Sequence, residues 1–171
     1  MSRMSKHKQK KTSLVLAIYP NFRGFGYSVH EKALKVIDTQ VISIRPISNS
    51  VALKRIKEIM DYYLPTVVVL EDYRGIGSRK SKRVQKLIDT ISKYAEKKNL
   101  TVKAYSRADI RFTFSIFNAH TKHEIATVIT ENVPFMKNRI MRKRKVTETE
   151  KYMASSFDAV SLGITHYYSE E

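Results

Sequence analysis

The stretch from Leu14 to Val29, LVLAIYPNFRGFGYSV, constrains this chain more than any other. Leu14 to Ile18 is an unbroken apolar run, the pattern of a strand buried on both faces. Tyr19-Pro20-Asn21 interrupts it, because proline lacks a ladder donor and asparagine tolerates turn geometry. Gly24 and Gly26 bracket Phe25, and Phe25 to Val29 reads as a strand returning beside the first. Together these features predict a hairpin at the centre of a sheet.

The remaining elements build outward from that hairpin. Ala33 to Ile44 alternates as a third strand that Pro46 ends. Ser50 to Tyr63 carries Leu53, Ile56, Ile59 and Met60 at helical spacing, with a polar N-cap in Ser48 to Ser50. Thr66 to Tyr73 (TVVVLEDY) is a second fully buried strand, ending in Glu71 and Asp72. Ser81 to Lys98 predicts a helix, Thr101 to Tyr105 a short strand, and Ser106-x-x-Asp109 another helix start. Thr121-Lys-His-Glu124 and Thr147-x-x-Glu150 have the capping-box pattern, opening helices to about Asn132 and Tyr168. The order predicts a mixed α/β sheet, three antiparallel strands followed by parallel ones, flanked by helices. Residues 1–12 read as a basic flexible tail and 13–171 as one domain.

Charge narrows the partners. Thirty-two Lys and Arg against sixteen Asp and Glu give a formal +16, more than solubility requires, and a polyanion partner is the leading explanation. No apolar run approaches the roughly 20 residues of a spanning helix, so a membrane role is not expected. The N-terminal stretch has no apolar segment behind its basic residues, and the chain has no cysteine; an intracellular, cytoplasmic protein is expected. Two basic clusters stand out: Arg74, Arg79, Lys80, Lys82 and Arg83 after the acid-bearing strand, and Arg142, Lys143, Arg144 and Lys145 in a predicted loop. A charge run is usually a solvated face, but a cluster that follows a strand-end acid points to phosphate contacts.

In the hairpin, Pro20, Gly26, Tyr27 and Val29 keep the spacing of the first hairpin of RuvC-type Holliday-junction resolvases, which the chain resembles from residue 13 onward. Glu71 in VVVLED matches the second acid of that family. Ser155-Ser156-Phe157-Asp158-Ala159, followed by Leu162, Ile164, Thr165 and His166, matches its terminal helix. The resemblance implies a ribonuclease-H-like mixed five-stranded sheet, a metal-dependent nuclease site of four acids, and a homodimer. It also places Lys122 near a phosphate. Two of the four acids are replaced: Tyr19 stands where the family opens its site with Asp, and Ser155 stands at another acid position. Glu71 and Asp158 are kept, as the remaining catalytic and metal-ligand positions.

Two-metal phosphodiester cleavage needs carboxylates enough to hold two Mg2+ or Mn2+ ions. Two acids predict weak binding of one ion at best. Asp72 does not simply substitute, since consecutive strand residues face opposite ways. Lys151 shares a helix face with Ser155 and Asp158, and either takes the cation's place or reaches solvent. His120 and His123 are read as structural or exposed, His166 as facing solvent or the helix C-terminus, and the tyrosines as core or rim. The expectation is a nucleic-acid-binding protein of resolvase type with a degenerate metal site, taking structured or duplex DNA over RNA. The alternative is an active Mg2+-dependent endonuclease that recruits Asp72 or Glu148.

Overall fold

A computed structural model describes residues 13–137 and 154–170. Its sheet has five strands: β1 (Val15–Asn21), β2 (Gly24–His30), β3 (Val36–Ser43), β4 (Val67–Glu71) and β5 (Thr101–Tyr105). They lie in the order β3-β2-β1-β4-β5. The first three pair antiparallel, while β1–β4 and β4–β5 are parallel, so the expected mixed topology is observed.

Helices cover both faces. On one side, α1 (Asn49–Tyr63) and α2 (Lys82–Lys97) pack Ile56, Met60, Leu87 and Ile91 against Leu16, Ile18, Phe25 and Val29. On the other, α3 (Arg107–Ser115), α4 (Lys122–Asn132) and α5 (Ala154–Ser169) enclose Val15, Ala17, Tyr19 and Val69. The alternation within β1 explains its unbroken apolar run: odd residues face α5 and even ones face α2. Residues 155–166 of α5 are buried on every side, as an apolar helix in the middle of a layer must be.

Caps set the helix starts. Ser48, Ser81 and Thr121 each accept a first-turn backbone N–H, and Ser106 with Asp109 forms a full capping box. Leu64 closes α1 in the left-handed conformation, φ 50°.

The hairpin turn differs from the sequence expectation. Tyr19-Pro20-Asn21 does not break β1; the strand runs to Asn21, and the turn is Phe22–Arg23. Pro20 pairs opposite Phe25, beyond the Val15–Ala17 stretch registered with β4, so it lies where β1 has one neighbour, a setting proline tolerates. Asn21 makes the turn through its side chain: Oδ1 accepts from the N–H groups of Arg23 and Gly24, both at 2.9 Å.

Two glycines fix α5 along β2. A Cβ on Gly26 would lie 2.3 Å from the Ser155 carbonyl oxygen, and one on Gly163 would lie 2.2 Å from His30 Nε2. From residue 26 to 30 the strand advances about 13 Å, and from 155 to 163 the helix advances about 12 Å. Strand and helix therefore run side by side in step.

Candidate nucleic-acid interface

The C-terminal ends of β1 and β4 and the first turn of α5 meet in one cleft. Gly26 pairs with Tyr19 and abuts Ser155, so the contact that seats α5 also brings Ser155 beside the end of β1. Two adjoining lobes share Tyr19, Arg79, Lys80 and Lys122. Ser155 and Asp158 line one lobe, and Glu71, Arg107 and Arg111 line the other, which has a volume of about 440 Å3. The four positions singled out in the sequence, Tyr19, Glu71, Ser155 and Asp158, thus converge.

Both carboxylates are deeply buried, Glu71 at 1% and Asp158 at 6% exposure. Each faces a cation. Lys80 Nζ lies 3.5 Å from Glu71 Oε2, and Arg107 Nη1 lies 3.5 Å from Asp158 Oδ1. Lys122 Nζ approaches Asp158 Oδ2 at 3.8 Å. Lys80 also sits over the Tyr19 ring, 3.8 Å from its centre, and donates to the Pro20 carbonyl at 3.4 Å. Burial pushes the Glu71 carboxyl above its usual range and the Lys80 ammonium below its own, and each charge partly restores the other. Neither Glu71 oxygen has a hydrogen-bond partner among the described residues.

Among the described residues the donor set falls short of what a pair of divalent ions takes. Hard cations want several oxygen ligands, yet no cluster of three or more His, Cys, Asp or Glu suited to a metal occurs among the described residues. The Lys80 ammonium and the Arg107 guanidinium lie beside the carboxylates of Glu71 and Asp158. Asp72 lines neither lobe; its Oδ1 accepts from the Arg74 N–H at 3.1 Å. Glu148 and Lys151 lie outside the described residues, as do Arg142, Lys143, Arg144 and Lys145.

The first basic cluster is divided by the fold. Arg79 is exposed on the cleft rim, and Lys80 turns inward to Glu71. Lys82 is exposed at the start of α2, and Arg74 lies over the Tyr73 ring at 4.9 Å. Arg83 braces the hairpin instead of facing open solvent: Nη2 donates to the Asn21 carbonyl at 2.8 Å and Nη1 to Asn49 Oδ1 at 2.9 Å. His166, expected at solvent or a helix end, is buried with Nδ1 2.9 Å from the Tyr105 hydroxyl. Tyr73 donates to Asp89, and Tyr27 to Asp38, so of these tyrosines only Tyr19 belongs to the cleft. Exposed His120 lines the Glu71 lobe.

Sequence reasoning passed over Arg107 and Arg111. The available signal was position: Arg107 directly follows the Ser106 cap, so the first turn of α3 carries it to the mouth of the strands.

A mixed β3-β2-β1-β4-β5 sheet with its cleft between β1, β4 and the terminal helix is the ribonuclease-H-like fold in its RuvC form. Solved structures similar to the chain include Thermus thermophilus RuvC in complex with a Holliday junction substrate, with a TM-score of 0.64 at 18% identity, covering 92% of this chain and 95% of that one. Thermus thermophilus RuvC solved separately has a TM-score of 0.64 at 19% identity over the same shares. The yeast mitochondrial Holliday junction resolvase Ydc2 has a TM-score of 0.58 at 16% identity, covering 93% and 80%. No protein-family model and no curated protein matches the sequence. No described helix is long and apolar enough to cross a membrane.

Proposed function

We propose that this protein binds branched or duplex nucleic acid, DNA in preference to RNA, through the cleft between β1, β4 and α5, and that its ancestral nuclease site is degenerate. The observation that carries the reading is the pairing of the two remaining acids with Lys80 and Arg107 in a cleft of RuvC-like fold. The net +16 supplies long-range attraction to phosphate, and the Holliday junction bound by the Thermus RuvC suggests the class of ligand. The proposal extends to a homodimer, as the family resemblance in the sequence implies.

A second reading is an active Mg2+-dependent endonuclease using acids such as Glu148. The Glu71 oxygens favour it, since they have no hydrogen-bond partner among the described residues beyond the Lys80 ion pair and keep lone pairs for a ligand. One experiment separates the two. Binding and cleavage are measured on a four-way DNA junction, a linear DNA duplex and an RNA duplex, with EDTA, Mg2+ or Mn2+. Tight binding without strand cleavage is the expected result. Metal-dependent incision abolished by Glu71→Gln would establish the endonuclease instead, and equal retention on anionic vesicles would remove the nucleic-acid reading.

A further inference from the structure

We propose that the Glu71 lobe of the cleft is a direct phosphate-binding site, in which side-chain cations hold the anion with no bridging divalent metal. The inference rests on the nucleic-acid reading above and names what the cleft grips and how.

Charge count is the first argument. Arg79, Lys80, Arg107, Arg111 and Lys122 line the two lobes, against the carboxylates of Glu71 and Asp158. A cleft built for two divalent cations must carry an excess of negative charge, and the described lining of this one carries an excess of positive charge even with Lys122 set aside. Such a lining attracts an anion.

Unspent donors are the second. Arg107 is buried, its side chain 8% exposed, and the one hydrogen bond its guanidinium makes among the described residues is the 3.5 Å contact to Asp158. That is longer than the roughly 2.7–2.9 Å of a tight charge-assisted bond. The other donors of its fork have no protein partner among the described residues. A guanidinium held this deep, with most of its donors unused, is shaped for an oxyanion. Arg79 and Arg111 flank it at the lobe and have no acidic partner among the described residues.

Backbone polarity is the third. Thr121, the N-cap of the 11-residue α4, lines the same lobe, so the positive end of that helix lies at its edge, with Glu124 in its first turn. Lys80, between Glu71 and the Tyr19 ring, neutralises the carboxylate that would otherwise repel a phosphate. The lobe's volume of about 440 Å3 admits a phosphate with part of its sugar.

The test uses the full chain, inorganic phosphate, and short DNA duplexes carrying either a 5′-phosphate or a 5′-hydroxyl, in EDTA and in Mg2+ at matched ionic strength. Expected results are full affinity in EDTA, displacement by inorganic phosphate, and about tenfold weaker binding for Arg111→Gln and for Arg107→Gln. Arg107→Lys should recover part of that loss. Arg111 is exposed, so its variant reports on the site even if Arg107→Gln fails to fold. Tighter binding of the 5′-phosphorylated duplex would assign the pocket to chain ends; equal binding would assign it to internal phosphates. A tenfold or greater gain from Mg2+, or duplex binding indifferent to both Arg107 and Arg111, would overturn the inference and leave nucleic-acid binding intact. Binding of inorganic phosphate through these arginines without any duplex binding would do the reverse.

Discussion

Lys80 reaches back from the loop before α2 to lie 3.5 Å from Glu71, with only 10% of its side chain exposed. A lysine this deep is held by what it neutralises. Glu71 ends a buried strand and its carboxylate has no close hydrogen bond among the described residues, so without Lys80 its charge would face the interior with Arg107 as its main relief.

Lys80→Gln should therefore destabilise the protein by about 3 kcal/mol near neutral pH, the usual loss when one member of a buried pair is removed. Burial already raises Glu71, and the substitution raises it further. The folded variant then keeps its proton to higher pH than the unfolded chain, so its stability falls as pH rises above the unfolded value near 4.5. Denaturant melts at pH 5 and 7.5 should show the gap to wild type shrinking at the lower pH. An equal gap at both values would mean that the two side chains do not act as a charge pair.

Acids placed at 19 and 155 should give metal binding only when the Lys80 ammonium is removed from beside Glu71. Tyr19→Asp with Ser155→Asp puts four carboxylates around the cleft, and Lys80→Gln clears the space beside Glu71. The triple variant should bind Mg2+ by calorimetry, while the double variant binds less. Tyr19→Asp alone should matter more than Ser155→Asp, because Tyr19 lines both lobes. Without metal the triple variant should be the least stable, since the carboxylates repel, and Mg2+ should recover that loss. Equal metal binding by the triple variant and wild type would refute the convergence of these positions.

His30 makes the fold acid-sensitive from the other end of the contact between β2 and α5. Burial holds its imidazole down at about 4, from 6.5, beside Ser28 and Gly163. Unfolded chains take up the proton first as pH drops, so stability should be full above 6.5 and fall by up to about 3 kcal/mol towards pH 4. His30→Gln should flatten that slope in a pH series of melts. Gly163→Ala should lower stability at every pH: helix propensity favours alanine by about 1 kcal/mol, but a methyl group overlapping the ring costs more.

Nucleic-acid affinity should depend steeply on salt. If about five phosphates are contacted, log K should fall with log salt at a slope near −4 to −5. Neutralising Arg142, Lys143, Arg144 and Lys145 should make the slope shallower, as read from titrations at several salt concentrations. An unchanged slope would place that cluster away from the nucleic acid.

The mixed sheet was legible because both buried strands announce themselves as apolar runs, and because Ser48, Ser106 and Thr121 are caps in fact as in pattern. The convergence of residues 19, 71, 155 and 158 followed from likeness to a known hairpin and helix, not from periodicity. What stayed hidden was long-range pairing. Nothing in the string RKSKR tells which residue folds inward; Lys80 turns to Glu71, Arg83 to the hairpin, and Arg79 stays out. Pro20 misled because proline is judged by its missing donor, and whether that donor is needed depends on a neighbouring strand far along the chain. His166 was hidden by its position near a helix end, although β5 lies across from it and covers it.

The paired contacts of Gly26 with Ser155 and of Gly163 with His30 act as two pins through one rail. A helix held at two points can neither slide along the strand nor roll about its axis. The chemistry of the cleft can therefore be exchanged by side-chain substitution while the backbone frame stays in register. That separates the scaffold from its cargo: side chains at the cleft, Tyr19, Lys80 and Arg107 among them, can be exchanged without a new fold.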